Sequence, residues 1–150
     1  MLCVGDAEDG VAVAALFEKN GENWTCGCRT GAPKLYYPLP LVGTQDLGIP
    51  FAVSSARFKP VPERNGVYAG SLEDAPTRSN WLLLALVPGL YCKLLQVCGE
   101  KGWGGLEGLA RFSGKFAASW LDLERFRAEV LVPCIEFVRA ETGPEIVQNR

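Results

Sequence analysis

Residues 81–97, WLLLALVPGLYCKLLQV, decide how this chain is read. Leu83, Leu86, Leu90, Leu94 and Val97 recur at spacings of three and four, which is one apolar stripe of an amphipathic helix. Pro88 has no backbone N–H to donate and predicts a kink within that helix. The apolar run from Trp81 to Cys92 is about 12 residues, fewer than the roughly 20 that cross a bilayer, so the stretch reads as a buried core helix.

Toward the C-terminus, the glycine-rich segment from Gly99 to Gly108 breaks the pattern, and Phe116, Trp120, Leu123, Phe126, Val130, Cys134 and Phe137 then resume it. With Asp122 and Glu124 near its start, a second long helix is expected over Asp122 to Glu141, with Pro133 inside it. The N-terminal half has a different period. Val11 to Phe17 is β-permissive, Asn20-Gly21 suits a hairpin turn, and Trp24, Cys26 and Cys28 alternate with Thr25, Gly27 and Arg29 as a half-buried strand does. After a turn over Arg29-Thr30-Gly31-Ala32-Pro33, Leu35 to Leu41 reads as extended chain. Pro38 and Pro40 place that segment at a sheet edge. Ile49 to Ser55 is a further strand, and Pro60, Pro62, Gly66 and Gly70 make Arg57 to Asp74 a loop.

Strands followed by helices predict an α+β domain, a mainly antiparallel or mixed sheet covered by two long helices. Residues 10–58 are strand-rich, 59–76 form the loop and 77–142 are helical. At 150 residues, with 48% apolar and 21% charged side chains, the chain suits one domain with its own core. The net charge of −2 creates no field toward nucleic acid or anionic lipid. There is no histidine, so His-based triads and His-dependent metal sites are excluded. The six cysteines are spread through apolar segments, and no basic, apolar leader precedes them. This points to reduced thiols in a cytoplasmic protein.

Three motifs have an ordinary reading. Cys26 and Cys28 share one strand face with no further ligands nearby, which favours buried apolar cysteines over a metal or redox pair. Ser54-Ser55 suits a strand end and lacks a histidine base. Gly102-Trp103-Gly104-Gly105 and Gly108 have neither a leading strand nor a following Lys-Ser or Lys-Thr, so they read as a helix–helix connection rather than a phosphate loop.

Leu35-Tyr-Tyr-Pro-Leu-Pro-Leu41, Gly43-Thr44, Leu47-Gly-Ile-Pro-Phe51 and Phe51-Ala-Val-Ser-Ser-Ala-Arg57 together resemble the sacsin-like relatives of the ninety-kilodalton heat-shock chaperones. In that family a leucine-proline strand precedes a Gly-Leu-Pro-Phe strand and a serine-rich segment ending in arginine. Asn80-Trp81-Leu82-Leu83-Leu84 through Tyr91-Cys92-Lys93-Leu94-Leu95 resembles the family's following helix, and Glu63-Arg64-Asn65-Gly66 the arginine-bearing turn of its bacterial members. The likeness spans roughly residues 10–98. It implies that the chain is the middle segment of a larger protein, downstream of a histidine-kinase-like ATPase domain. The family's acidic-and-asparagine helix and its later aspartate-rich glycine motif are missing here. ATP and magnesium are therefore expected only in the parent protein, and the isolated chain is expected to be non-catalytic.

Arg64 and Arg57 flank the proline-rich loop and are the candidate contacts to a nucleotide phosphate held by that upstream domain. The expected function is coupling of the nucleotide-binding domain to the rest of the parent. A stand-alone protein-interaction module, with homo-oligomers allowed, is the alternative, and neither nucleic acid nor membrane is an expected partner.

Overall fold

The computed structural model describes residues 2–6, 8–27 and 31–142. Cys28, the Arg29-Thr30 turn and the ending from Pro144 to Arg150 lie outside the described residues. The N-terminal half forms a mixed five-stranded sheet in the order β1-β2-β7-β5-β6. Its strands are β1 (Leu2–Asp6), β2 (Val11–Ala15), β5 (Leu35–Tyr37), β6 (Leu39–Pro40) and β7 (Ala52–Ser55). Strands β3 (Phe17–Asn20) and β4 (Asn23–Cys26) form a separate two-stranded sheet. Helices α1 (Ala75–Leu84), α2 (Val87–Lys101), α3 (Leu123–Phe126) and α4 (Val132–Thr142) make up most of the second half. The domain is α+β, as its periodicities imply.

Side-chain alternation sets the register. Val11, Val13 and Ala15 on β2 are buried while Ala12 and Ala14 between them are not, so the buried face of β1 and β2 packs on α2. Helix α4 also packs on α2. Proline confines β6 to the edge: Pro40 pairs with Tyr36 across the turn at Pro38.

The structure differs from the sequence reading at several points, each with a local cause. Leu35 to Leu41 is two short strands folded back on each other, because Pro38 turns the chain within the segment. The strand expected over Val11 to Phe17 divides at Leu16, so its first part joins the large sheet and its second part the small one. The hairpin turn is Gly21-Glu22 rather than Asn20-Gly21. Gly21 takes φ +69° at the first loop position, and Asn20 pairs with Asn23.

The helix read from Trp81 begins earlier, at Ala75. Asp74 caps it by accepting from the Thr77 N–H at 3.1 Å, and Pro76 stands in its first turn. It breaks at Ala85-Leu86, just before Pro88. Counting both helices, the run Ala75–Lys101 is 27 residues with a stretch of mean hydropathy 1.7, long and apolar enough to cross a bilayer by length and composition alone. Half of that stretch is buried in the fold, with Trp81, Leu84, Leu90 and Leu94 in the core. Burial, not length, makes it a core helix.

The last helix starts at Leu123, capped by Asp122, so Phe116 and Trp120 lie outside it. Phe116 belongs instead to an extended segment, 111–119, in which exposed and half-buried residues alternate, and Trp120 is buried in the turn that follows it. Between α3 and α4 the helix widens to a π-turn over Arg127–Leu131, where the Val132 N–H reaches the Arg127 carbonyl. Pro133 follows directly, and the wider turn accommodates a residue that cannot donate to the ladder.

Candidate functional site

The loop between β7 and α1 is held from two sides. Phe58, Val61, Val67 and Ala69 are buried, and Asn80 of α1, itself fully buried, ties both arms together. Its Oδ1 accepts from the Lys59 N–H at 2.8 Å, and its Nδ2 donates to the carbonyls of Lys59 and Tyr68, each at 2.9 Å. The Trp81 indole donates to the Gly70 carbonyl. On the far side the Ala69 N–H donates to the Trp120 carbonyl, and the Asp122 N–H to the Ala69 carbonyl at 2.7 Å. Gly66 lies so close to the Trp120 ring that a Cβ there would stand 2.1 Å from it. Proline and glycine limit this loop to a short pairing, Val61 N–H to the Gly66 carbonyl and Tyr68 N–H to that of Lys59, and side-chain amide and indole groups supplement it.

Arg64 sits at the exposed turn of the loop with φ +54°, the left-handed region that non-glycine residues seldom occupy. Its backbone N–H closes the turn on the Val61 carbonyl, its guanidinium donates to the Tyr37 carbonyl at 3.1 Å, and it lies 5.6 Å from the centre of the Tyr37 ring. Arg57 is also exposed, but it leans over Gly10 in the β1–β2 turn: a Cβ on that glycine would meet its Nε at 3.2 Å. The two arginines are therefore not brought together, since β2 and β5 lie on opposite sides of β7. A hollow of about 440 Å³ beside the loop is lined by Tyr68, Asn65 and Trp120, and Glu63 is its one charged group, so it is not built for an anion.

Ser55 is buried, and its Oγ accepts from the Arg57 N–H at 3.0 Å, a strand-end cap rather than a nucleophile. Cys26 ends β4 near Cys98, whose buried thiol is pushed up to about 11 by desolvation first and by the neighbouring Cys26 second. Burial pushes the Cys134 thiol up to about 12. Among the described residues no three His, Cys, Asp or Glu side chains are grouped to hold a metal ion.

The glycine-rich connection is an ordered strap. Gly102 ends α2 with φ +66°, Cys26 donates to the Gly104 carbonyl, and Gly104 donates to that of Trp24. Trp103 packs on Phe17 and Trp24 with ring centres 4.8 and 5.7 Å apart.

A larger cleft, about 530 Å³, was not apparent in the sequence. Lys34, Arg111 and Lys115 line it, with Asp46 the one acidic group, over walls that include Ile49, Pro50, Phe112 and Phe116. The Ser113 N–H donates to the Gly48 carbonyl at 2.9 Å, which fixes the extended segment across the turn. The sequence did carry a signal for one wall, the alternation Arg111-Phe112-Ser113-Gly114-Lys115-Phe116. Lys34 on the opposite wall is joined to it only by folding.

No protein-family model matches the chain, and comparisons with curated proteins and with solved structures give no match either.

Proposed function

We propose that this chain is a non-catalytic segment of a larger, ATP-dependent, chaperone-like protein, coupling a neighbouring nucleotide-binding domain to the rest of the parent through the loop from Arg57 to Asp74. One observation carries the reading. Both arms of the loop are bonded to the buried side chain of Asn80 on α1, and the neighbouring Trp81 indole holds Gly70, so a push on the loop is a push on α1. Arg64 stands exposed on that loop, its backbone already set in a left-handed turn. Its guanidinium is the group offered to a phosphate brought by the neighbouring domain, where positive charge acts mainly on the transition state. ATP and magnesium belong to that neighbour, and the setting is cytoplasmic.

The test is turnover in the parent protein. Arg64→Ala should lower its ATPase rate at least about tenfold, ~1.4 kcal/mol of barrier, while the melting temperature stays near that of the unaltered protein. Unchanged turnover would reduce Arg64 to a surface residue packed on Tyr37. A large melting shift would make it structural.

A stand-alone interaction module is the second reading, favoured by Leu39 and Val42, which are 69% and 65% exposed at and just after the edge strand β6. A reading frame with no ATPase domain ahead of this segment would select it.

A further inference from the structure

We infer that the cleft between Lys34 and the extended segment 111–116 binds a small organic anion, a phosphate or carboxylate head carried on an aromatic or apolar body. This site is separate from the arginine loop and does not depend on it.

The charge balance comes first. In a chain with a net charge of −2, three cationic side chains and one carboxylate line a single cleft. Clustered like charges over low-dielectric walls focus a positive potential, and a bound anion relieves their mutual repulsion. Among the described residues, the side chains of Arg111 and Lys115 form no hydrogen bond and no ion pair.

Their placement follows from the backbone. In the extended segment, Arg111, Ser113 and Lys115 are exposed while Phe112 and Phe116 are half-buried, so cations stand at the mouth and rings form the wall. Both walls are anchored. Phe112 packs edge-on against Phe51 and Tyr91, with ring centres 6.2 and 5.5 Å away. Gly48, at φ +90°, lets the segment approach so closely that a Cβ would lie 1.9 Å from the Ser113 carbonyl oxygen. The backbone of Lys34 is tied to the Thr44 hydroxyl at 3.0 Å. A cleft of this volume, mostly apolar with a few convergent polar groups, has the makeup of small-ligand sites.

Phenyl phosphate is the probe, titrated calorimetrically into the full chain at low salt. The expected result is saturable one-to-one binding below about 10 mM, weakening as salt is added. Inorganic phosphate should bind more weakly, and benzylamine should not bind. The double variant Arg111→Glu, Lys115→Glu should raise the Kd at least about tenfold, and both positions are exposed, so its melting curve should remain cooperative. If it does not, Arg111→Gln with Lys115→Gln serves, with at least a threefold loss expected. An absence of saturation by about 10 mM would overturn the inference. So would undiminished affinity in the folded variant, or benzylamine binding as tightly as phenyl phosphate.

Discussion

Asn80 and Lys59, twenty-one positions apart, exchange two hydrogen bonds: the Lys59 N–H donates to Oδ1, and Nδ2 donates to the Lys59 carbonyl. The side-chain amide stands where a neighbouring strand would otherwise be, and its second Nδ2 hydrogen reaches Tyr68. Asn80→Ala should leave the Lys59 N–H and the Tyr68 carbonyl without a partner, at about 1 kcal/mol or more apiece, and remove one of the two bonds to the Lys59 carbonyl, which also accepts from the Tyr68 N–H. The expected loss is ~2–4 kcal/mol, a fall in Tm of roughly 5–15 °C for a chain of this size. Asn80→Asp retains the acceptor but loses both donors, so it should not rescue. A Tm within about 2 °C of the unaltered chain for either variant would show that the loop is held elsewhere.

Glycine substitutions should separate two kinds of position. At Gly66 a Cβ runs into the Trp120 ring, and at Gly48 it meets the Ser113 backbone in a left-handed conformation. Alanine at either should cost at least about 2 kcal/mol through overpacking and strain. Gly89, within α2, has nothing within 4 Å of the Cβ position. There alanine should stabilise by about 0.5–1 kcal/mol, because it restricts the unfolded chain and favours helix. Denaturant midpoints for the three variants decide this, and destabilisation by Gly89→Ala would contradict the placement of that helix.

Thiol chemistry should follow burial. Cys3 is exposed, whereas Cys98 and Cys134 are buried with their thiols raised to about 11 and about 12. The thiolate is the reactive form, so a thiol reagent at pH 8 should modify Cys3 quickly and the two buried cysteines only on unfolding. The pH dependence has a definite sign. In the folded state these thiols hold their protons above the ordinary value of 9.0, so stability is unaffected below it and falls as pH rises from there through 11 to 12. Rapid modification of Cys134 in the folded chain would refute its burial.

The residues themselves carried the fold class. Leu83, Leu90 and Leu94 are buried at helical spacing, and Val11, Val13 and Ala15 at strand spacing. Binary pattern alone separates those two periods, because each depends on contacts within a few residues. Pro88 and Pro133 likewise marked real irregularities, since a missing N–H acts locally wherever it occurs. Arg57 and Arg64 were legible as loop arginines, but not their separation across β7, nor the left-handed backbone at Arg64.

Tertiary structure alone decided the rest. Phe116 and Trp120 fit the helical stripe that continues through Leu123 and Phe126, yet Phe116 lies in extended chain and Trp120 in the turn before the helix. Ser113 bonds Gly48, Trp120 packs on Gly66, and the Trp120 carbonyl accepts from the Ala69 N–H. The conversion of Arg57 to Asp74 into an ordered, clamped loop depended on Asn80, a polar residue whose burial no local pattern announces. The cationic cleft needed Lys34 beside Arg111 and Lys115, which lie far along the chain. Propensity and period describe what a segment favours alone, while a close approach between distant backbones or the pooling of distant charges exists only once the chain has closed on itself.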